Sequence, residues 1–189
     1  IAKSSSGKVI YYGENRKADV RFYNVELDDN YTKFDITYKN KIYHINSPLL
    51  AKFNVYNLTA ALTILLLMNY DINNFDLSKL NIEGRMYEIK LGQDYKVIVD
   101  FAHTPNGTQK ILDFANKIKK GKIISVVGSA GDRDIIKRPM IGKIVVDNSD
   151  YVIFTYDDPR KEDINQIIDE MKKDVLDKKK KYERIIDRK

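Results

Sequence analysis

The chain has 189 residues, 33 Lys and Arg against 27 Asp and Glu, a net charge of +6 and no cysteine. That length suits one large or two small domains, and 43% hydrophobic residues with 32% charged support a packed core rather than long disorder. The absence of cysteine excludes a disulfide framework and thiolate metal sites and fits a reducing compartment. The positive balance would suit nucleic acid or an anionic small substrate. However, much of the lysine is concentrated in Lys172, Lys173 and Lys178 to Lys181, a run that reads as a solvated helix face.

Residues 1–48 read as β-structure. Tyr31 to Ile45 alternates, with Phe34, Ile36 and Tyr38 on one face, and Lys39-Asn40-Lys41 reads as a hairpin turn. Pro48 breaks the pattern. Asn54 to Tyr70 then reads as a buried helix, with Leu58, Ala61, Leu62, Leu65 and Leu66 at helical spacing. Its most apolar stretch, Ala60 to Met68, is too short to span a bilayer. No segment reads as a signal peptide or membrane span, so a cytoplasmic protein is the expectation. Asp71 to Leu80 reads as a loop or short helical turn, and a domain boundary is expected near Gly84.

From Lys96 the pattern changes. KVIVDF (96–101), KIISVVG (122–128) and YVIFTY (151–156) read as strands, with helices expected over 105–120, 138–148 and 163–178. Strands alternating with helices predict βαβ units in a parallel sheet, and continuous apolar strands predict cover on both faces. Ligands of such sheets gather at the carboxyl ends of the strands. Each of these three strands runs into a polar segment there. DFAHTP (100–105) closes the first, with Thr104 and Pro105 suited to opening a helix. GSAGDRD (128–134), followed by Lys137-Arg138-Pro139, closes the second; its small-residue turn leaves backbone N–H groups free to meet an anion. TYDDPR (155–160) closes the third, and its arginine offers a planar fork for a carboxylate. Taken singly, DFAHTP reads better as a capped turn with a solvated histidine, while GSAGDRD reads also as a salt-bridged turn and TYDDPR as an Asp-Pro turn. SSSGK (4–8) is not a phosphate loop, because the first glycine of that motif and the hydroxyl residue after the lysine are both missing. His44, in the hairpin, is read as structural.

In order, FNVYN (53–57), GRMYE (84–88), DFAHTP (100–105), GSAGDRDIIKRPM (128–140) and TYDDPR (155–160) resemble the Mur ligase family, in its branch that adds the third residue of the peptidoglycan stem peptide. ERIIDRK (183–189) is similar to the family's stretch before its last motif. Phe101 stands for the usual Tyr, Asn106 for an Asp, and Ser129-Ala130 for a Cys-Gly or similar pair; Asp158 stands where a diaminopimelate-adding enzyme usually has Asn. The family's Walker A loop and its later GKGHE-like motif are absent from this sequence.

The resemblance implies an α/β protein. Residues 1–84 would be the β-hairpin and helix tail of a central ATPase domain. Residues 85–189 would be a truncated, Rossmann-like C-terminal domain with a parallel sheet and flanking helices. It implies an ATP- and magnesium-dependent amide ligase that joins a diamino acid, meso-diaminopimelate or L-lysine, to UDP-N-acetylmuramoyl-L-Ala-D-Glu through an acyl phosphate. Neither a nucleic-acid nor a membrane partner is implied. Asn54, Asn57, Arg85, Asp100 and His103 would contact ATP; Arg133, Asp157, Asp158 and Arg160 would line the amino-acid pocket; Lys137 and Arg138 are further candidates. No metal ligand is expected in this stretch, and by itself the stretch is expected to be inactive. The alternatives are a ligase like folylpolyglutamate synthetase, against which the complete GDRDxxKRP string argues, and a non-catalytic basic binding module.

Overall fold

Alternation in the first fifty residues produces a four-stranded sheet of order β1-β2-β3-β4, in a computed structural model that describes residues 2–175 and 181–187. β1 (Tyr12–Gly13) runs parallel to β2 (Val20–Leu27); β2, β3 (Thr32–Tyr38) and β4 (Lys41–Ser47) are antiparallel. Lys39 and Asn40, both at positive φ (48° and 62°), make the two-residue turn between β3 and β4. That turn has the twist antiparallel strands require. Val20, Phe22, Phe34, Ile36, Tyr43 and Ile45 form the sheet's buried face.

Helix α1 (Lys52–Leu67) covers that face with Val55, Leu58, Leu62 and Leu66. Thr59 and Thr63 are buried without cost, because each hydroxyl donates to the carbonyl four residues back, at 2.6 and 2.7 Å. The helix is buried on one side only. Ile64 and Met68, inside the run expected to be buried, are each 60% exposed. A 3-10 turn, Ile72–Asn74, follows, with the Asp71 carboxylate accepting from the Asn73 N–H.

The next element departs from expectation. KVIVDF does not join the parallel sheet: β6 (Val97–Val99) pairs antiparallel with β5 (Tyr87–Ile89) as a separate two-stranded hairpin. A short apolar run shows that a strand exists but not which neighbour it pairs with, and the nearby YEI segment supplies a local partner. Asp100 therefore does not close a parallel strand. The chain forms two compact units, Ile1–Asp100 and Phe101–Lys189, and this hairpin belongs to the first.

In the second unit β7 (Ile124–Val127), β8 (Tyr151–Phe154) and β9 (Lys181–Arg184) form a parallel sheet of order β7-β8-β9. Helices α2 (Pro105–Ile118), α3 (Lys137–Asn148) and α4 (Ile164–Lys172) accompany it. Pro105 begins α2, and the Thr104 hydroxyl caps it by accepting from the Gly107 N–H at 3.2 Å. Leu112, Ile141, Val145, Val146, Val152, Phe154, Ile168 and Met171 form the core. α3 and α4 meet so closely that a Cβ built on Gly142 would lie 1.8 Å from the Met171 carbonyl oxygen.

Two expectations are corrected here. α4 stops at Lys172 rather than at 178, and the lysine run is not one helix face, since Lys181 opens β9; Lys178 to Lys180 lie outside the described residues. Cover on both faces of the sheet is incomplete among the described residues, with Ile124 and Val126 exposed by 63% and 64%. No helix of the described residues is long and apolar enough to cross a membrane.

Candidate functional site

The segments after β7 and β8 lie backbone to backbone, and glycine makes this possible. A Cβ on Gly128 would stand 2.7 Å from the Asp157 nitrogen, and one on Gly131 would stand 2.0 Å from the Pro159 oxygen. The Gly131 N–H donates to the Asp158 carbonyl at 2.7 Å, stitching the two loops together. Arg133, Asp157, Asp158 and Arg160, all exposed, are thereby gathered at the carboxyl ends of two neighbouring parallel strands. Arg160 sits at φ 50°, and its Nε approaches the Asp158 carboxylate at 3.5 Å, leaving the two terminal nitrogens of its fork for another acceptor. Two guanidinium groups beside two carboxylates suit a zwitterion: an amino acid's carboxylate meets an arginine while its ammonium meets an aspartate. Below them the Thr155 hydroxyl is buried and makes no hydrogen bond.

Arg138 serves a different end from the one expected of a ligand contact. Its side chain is fully buried. Nη1 donates to Glu162 at 2.7 Å and to Glu170 at 2.6 Å; Nη2 donates to Glu162 at 3.0 Å and to the Ala130 carbonyl at 3.0 Å. These hydrogen bonds hold both carboxyl groups below the ordinary value of 4.5 and raise the arginine further. Arg138 therefore braces the GSAGDRD loop from beneath, with its Nε the one nitrogen lacking a partner. Lys137, next to it, is half-buried. Glu162 and Glu170 were not among the residues the sequence singled out. The signal was present in the spacing: Glu170 borders the apolar stripe Ile164, Ile167, Ile168, Met171, where a carboxylate is half-covered.

In the first unit Asn54, Asn57, Arg85 and Asp100 occupy two places. At the head of α1, Asn54 is buried; its Nδ2 donates to the Leu50 carbonyl at 2.7 Å and its Oδ1 accepts from Asn57 at 3.2 Å. Asn54 thus orients Asn57, whose exposed amide keeps its oxygen and a second N–H for a base edge. Ala51, just before the helix, sits at φ 73° and ψ 150°, a region L-residues rarely adopt. Arg85 is exposed on the turn between Gly84 (φ 70°) and Met86 (φ 51°), and the Asp100 carboxylate accepts from the Met86 N–H at 2.8 Å. Asp100 and Arg85 are therefore brought to one turn, with Asp100 fixing its backbone. A depression of about 480 Å³ lined by Glu14, Arg21, Tyr23 and Lys52 includes none of the four.

His103, in the second unit, is exposed; its Nδ1 donates to the Phe101 carbonyl at 3.1 Å and the Phe101 ring lies 5.3 Å away. For the implied ATP, the Asn57 amide and the Arg85 guanidinium have the chemistry a base and a phosphate need. Magnesium requires clustered oxygen ligands, and the described residues hold no group of three or more His, Asp or Glu suited to a metal.

The chain is similar to known proteins over most of its length. Residues 84–189 match the family model described as Mur ligase, glutamate ligase domain, and residues 1–65 match the Mur ligase middle domain. Two curated relatives carry the name UDP-N-acetylmuramoyl-L-alanyl-D-glutamate--2,6-diaminopimelate ligase. The one from Aquifex aeolicus is 35% identical over 182 residues, 95% of this chain and 37% of the relative. The one from Fusobacterium nucleatum is 43% identical over 153 residues, 79% of this chain and 31% of the relative. A solved structure bearing the same name is 30% identical, with a TM-score of 0.57, and covers 96% of this chain and 38% of its own. The chain thus spans about a third of the length of the curated relatives it matches. With more than half of its residues inside one model of the family and its opening residues inside another, this chain belongs to the Mur ligase family.

Proposed function

We propose that this chain is the amino-acid-selecting part of an ATP-dependent ligase. The ligase adds meso-diaminopimelate to UDP-N-acetylmuramoyl-L-Ala-D-Glu during peptidoglycan synthesis. The observation that carries this is the pair of glycine-joined loops presenting Arg133, Arg160, Asp157 and Asp158 at the strand ends. The relatives' printed names, which specify 2,6-diaminopimelate, support the choice of substrate. Residues 1–84 belong on this reading to the middle domain and 85–189 to the C-terminal domain, a division supported by matches over 1–65 and 84–189, although the β5–β6 hairpin falls within the compact unit Ile1–Asp100.

ATP supplies the energy by phosphorylating the substrate carboxylate, and Asn54, Asn57, Arg85, Asp100 and His103 are the residues assigned to the nucleotide. Asn57 and Arg85 would touch it directly, whereas Asn54 and Asp100 act by holding them. The incoming amino acid is oriented by Arg133 and Arg160 on carboxylates and by Asp157 and Asp158 on an ammonium. Diaminopimelate has a second carboxylate at its far end where lysine has none, and the Nη fork of Arg160 is the group to receive it. The Asp158 carboxylate, held at the Nε of Arg160, leaves that fork open.

The test is competition between diaminopimelate and lysine in a complete ligase carrying this segment, before and after Arg160→Ala. One charge-assisted hydrogen bond of roughly 1.5–3 kcal/mol corresponds to a preference for diaminopimelate of about ten- to a hundredfold, which the substitution should abolish. A preference for lysine at the outset, or one for diaminopimelate that survives Arg160→Ala, overturns the assignment.

A further inference from the structure

Three consecutive residues of the GSAGDRD loop are each held by a different partner. The Ala130 carbonyl accepts from Arg138 at 3.0 Å, the Gly131 N–H donates to Asp158 at 2.7 Å, and the Asp132 N–H donates to Glu162 Oε1 at 2.5 Å. Asp132 sits at φ 50°, a left-handed conformation uncommon outside glycine, so its backbone benefits from the restraint. Arg133 follows immediately and is exposed.

Glu162 links two of these holds. Oε1 takes the Asp132 N–H and one Arg138 N–H, and Oε2 takes the other terminal nitrogen of Arg138 at 2.7 Å. The bidentate fork fixes the carboxylate in orientation as well as position. The buried guanidinium is in turn fixed by Glu170. Glu162 also stands on the segment that carries Arg160, with its own N–H donating to the Pro159 carbonyl at 3.0 Å. One carboxylate thus belongs to the Arg160 segment and grips the backbone of the Arg133 segment.

We propose that Glu162 is a positioning residue that sets the separation of Arg133 and Arg160, and so the length of amino acid the pocket accepts. It touches no substrate. The proposal rests on the reading of the two loops as the amino-acid pocket. Removal of the Glu162 carboxylate frees the Asp132 peptide from its strained conformation and lets Arg133 move. Affinity for the amino acid falls, while nucleotide use, assigned to other residues, does not.

Two measurements test this. In the 189-residue chain, amide exchange of Asp132 is compared between the native protein and Glu162→Ala. The native amide should exchange slowly and the variant's fast, with the amides of β8 still protected in both. In a complete ligase carrying this segment, Glu162→Ala should raise KM for diaminopimelate about tenfold, with KM for ATP and kcat within about twofold, the loss expected of one charge-assisted bond acting through Arg133. Added to Arg133→Ala it should cost nothing further, because the two act in series. Glu162→Gln, which keeps an oxygen for the Asp132 N–H, should recover part of the affinity. An unprotected Asp132 amide in the native chain, or additive effects of Glu162→Ala and Arg133→Ala, overturns the positioning role. A protected amide with no effect of Arg133→Ala on the amino-acid KM overturns the pocket reading, and with it the substrate consequence drawn for Glu162.

Discussion

The two sheets of this chain are held by different means. In the first unit, β2, β3 and β4 bury alternate side chains against α1, and β3 meets β4 through a two-residue turn. Contacts there are side chain to side chain, and many are local. In the second unit the strands are parallel and must be brought together by crossovers. The decisive approaches are backbone to backbone at Gly128, Gly131 and Gly142, with one buried arginine among carboxylates. An apolar core tolerates changes of shape that preserve volume, whereas a glycine against a carbonyl tolerates no added atom. The unit that carries Arg133 and Arg160 is therefore the one whose geometry rests on the fewest replaceable contacts.

The largest expected effect lies in the first unit. Phe22 is fully buried and meets Phe34 and Tyr56 edge-on, at ring separations of 6.3 and 4.7 Å. Phe22→Ala should cost about 3–5 kcal/mol in urea unfolding. Amides of β2 to β4 should lose protection while those of β7 and β8 keep theirs. Loss of protection in both units together would erase the distinction drawn here.

Next comes Gly142→Ala. The added methyl meets the Met171 carbonyl, which cannot step aside without moving α4. A loss of about 3 kcal/mol is expected, at the upper end of overpacking costs, and confined to the second unit. A variant as stable as the parent would show that α3 and α4 do not cross this closely.

The Arg138 cluster gives a smaller, pH-dependent signature. Arg138 holds the Glu162 and Glu170 carboxyls below their ordinary value of 4.5, so their contribution is full above that value and is lost as pH falls through the depressed folded values. Arg138→Met should be less stable than the parent at pH 7, where it leaves two carboxylates facing each other. The gap should narrow on acidification as protonation removes that charge. Denaturant midpoints for both proteins at neutral and acid pH decide it: a gap that stays constant contradicts the role given to the guanidinium.

The smallest effect is a gain. Lys39 occupies a left-handed position that asparagine tolerates better, so Lys39→Asn should stabilise the hairpin by less than about 1 kcal/mol. A clear loss in thermal unfolding would mean that the lysine stem contributes packing at the turn.

How far the sequence could be read follows the same divide. Alternation over Tyr31 to Ile45, the Lys39-Asn40 turn and the helix after Pro48 were legible because their signals are local. The small-residue turn at Gly128 to Asp134 and the polar exit at Thr155 to Arg160 were also legible, as motifs. Pairings were not. Whether Val97–Val99 joins a parallel sheet or turns back on Tyr87–Ile89 depends on which neighbour arrives, and residue types do not record that. β9 was hidden within a lysine-rich stretch, because parallel pairing to β8 supplies its backbone partners from far along the chain. Arg138 was legible as a cation but not as a buried one, since its burial depends on Glu162 and Glu170 arriving from the next crossover.

The central claim, that the two joined loops select the amino acid by its carboxylates, is tested most directly by Arg133→Lys in a complete ligase carrying this segment. The substitution keeps the charge and removes the planar fork. The account predicts a KM for diaminopimelate raised by about tenfold with KM for ATP unchanged. A KM for ATP that rises while the amino-acid KM stays level would contradict it.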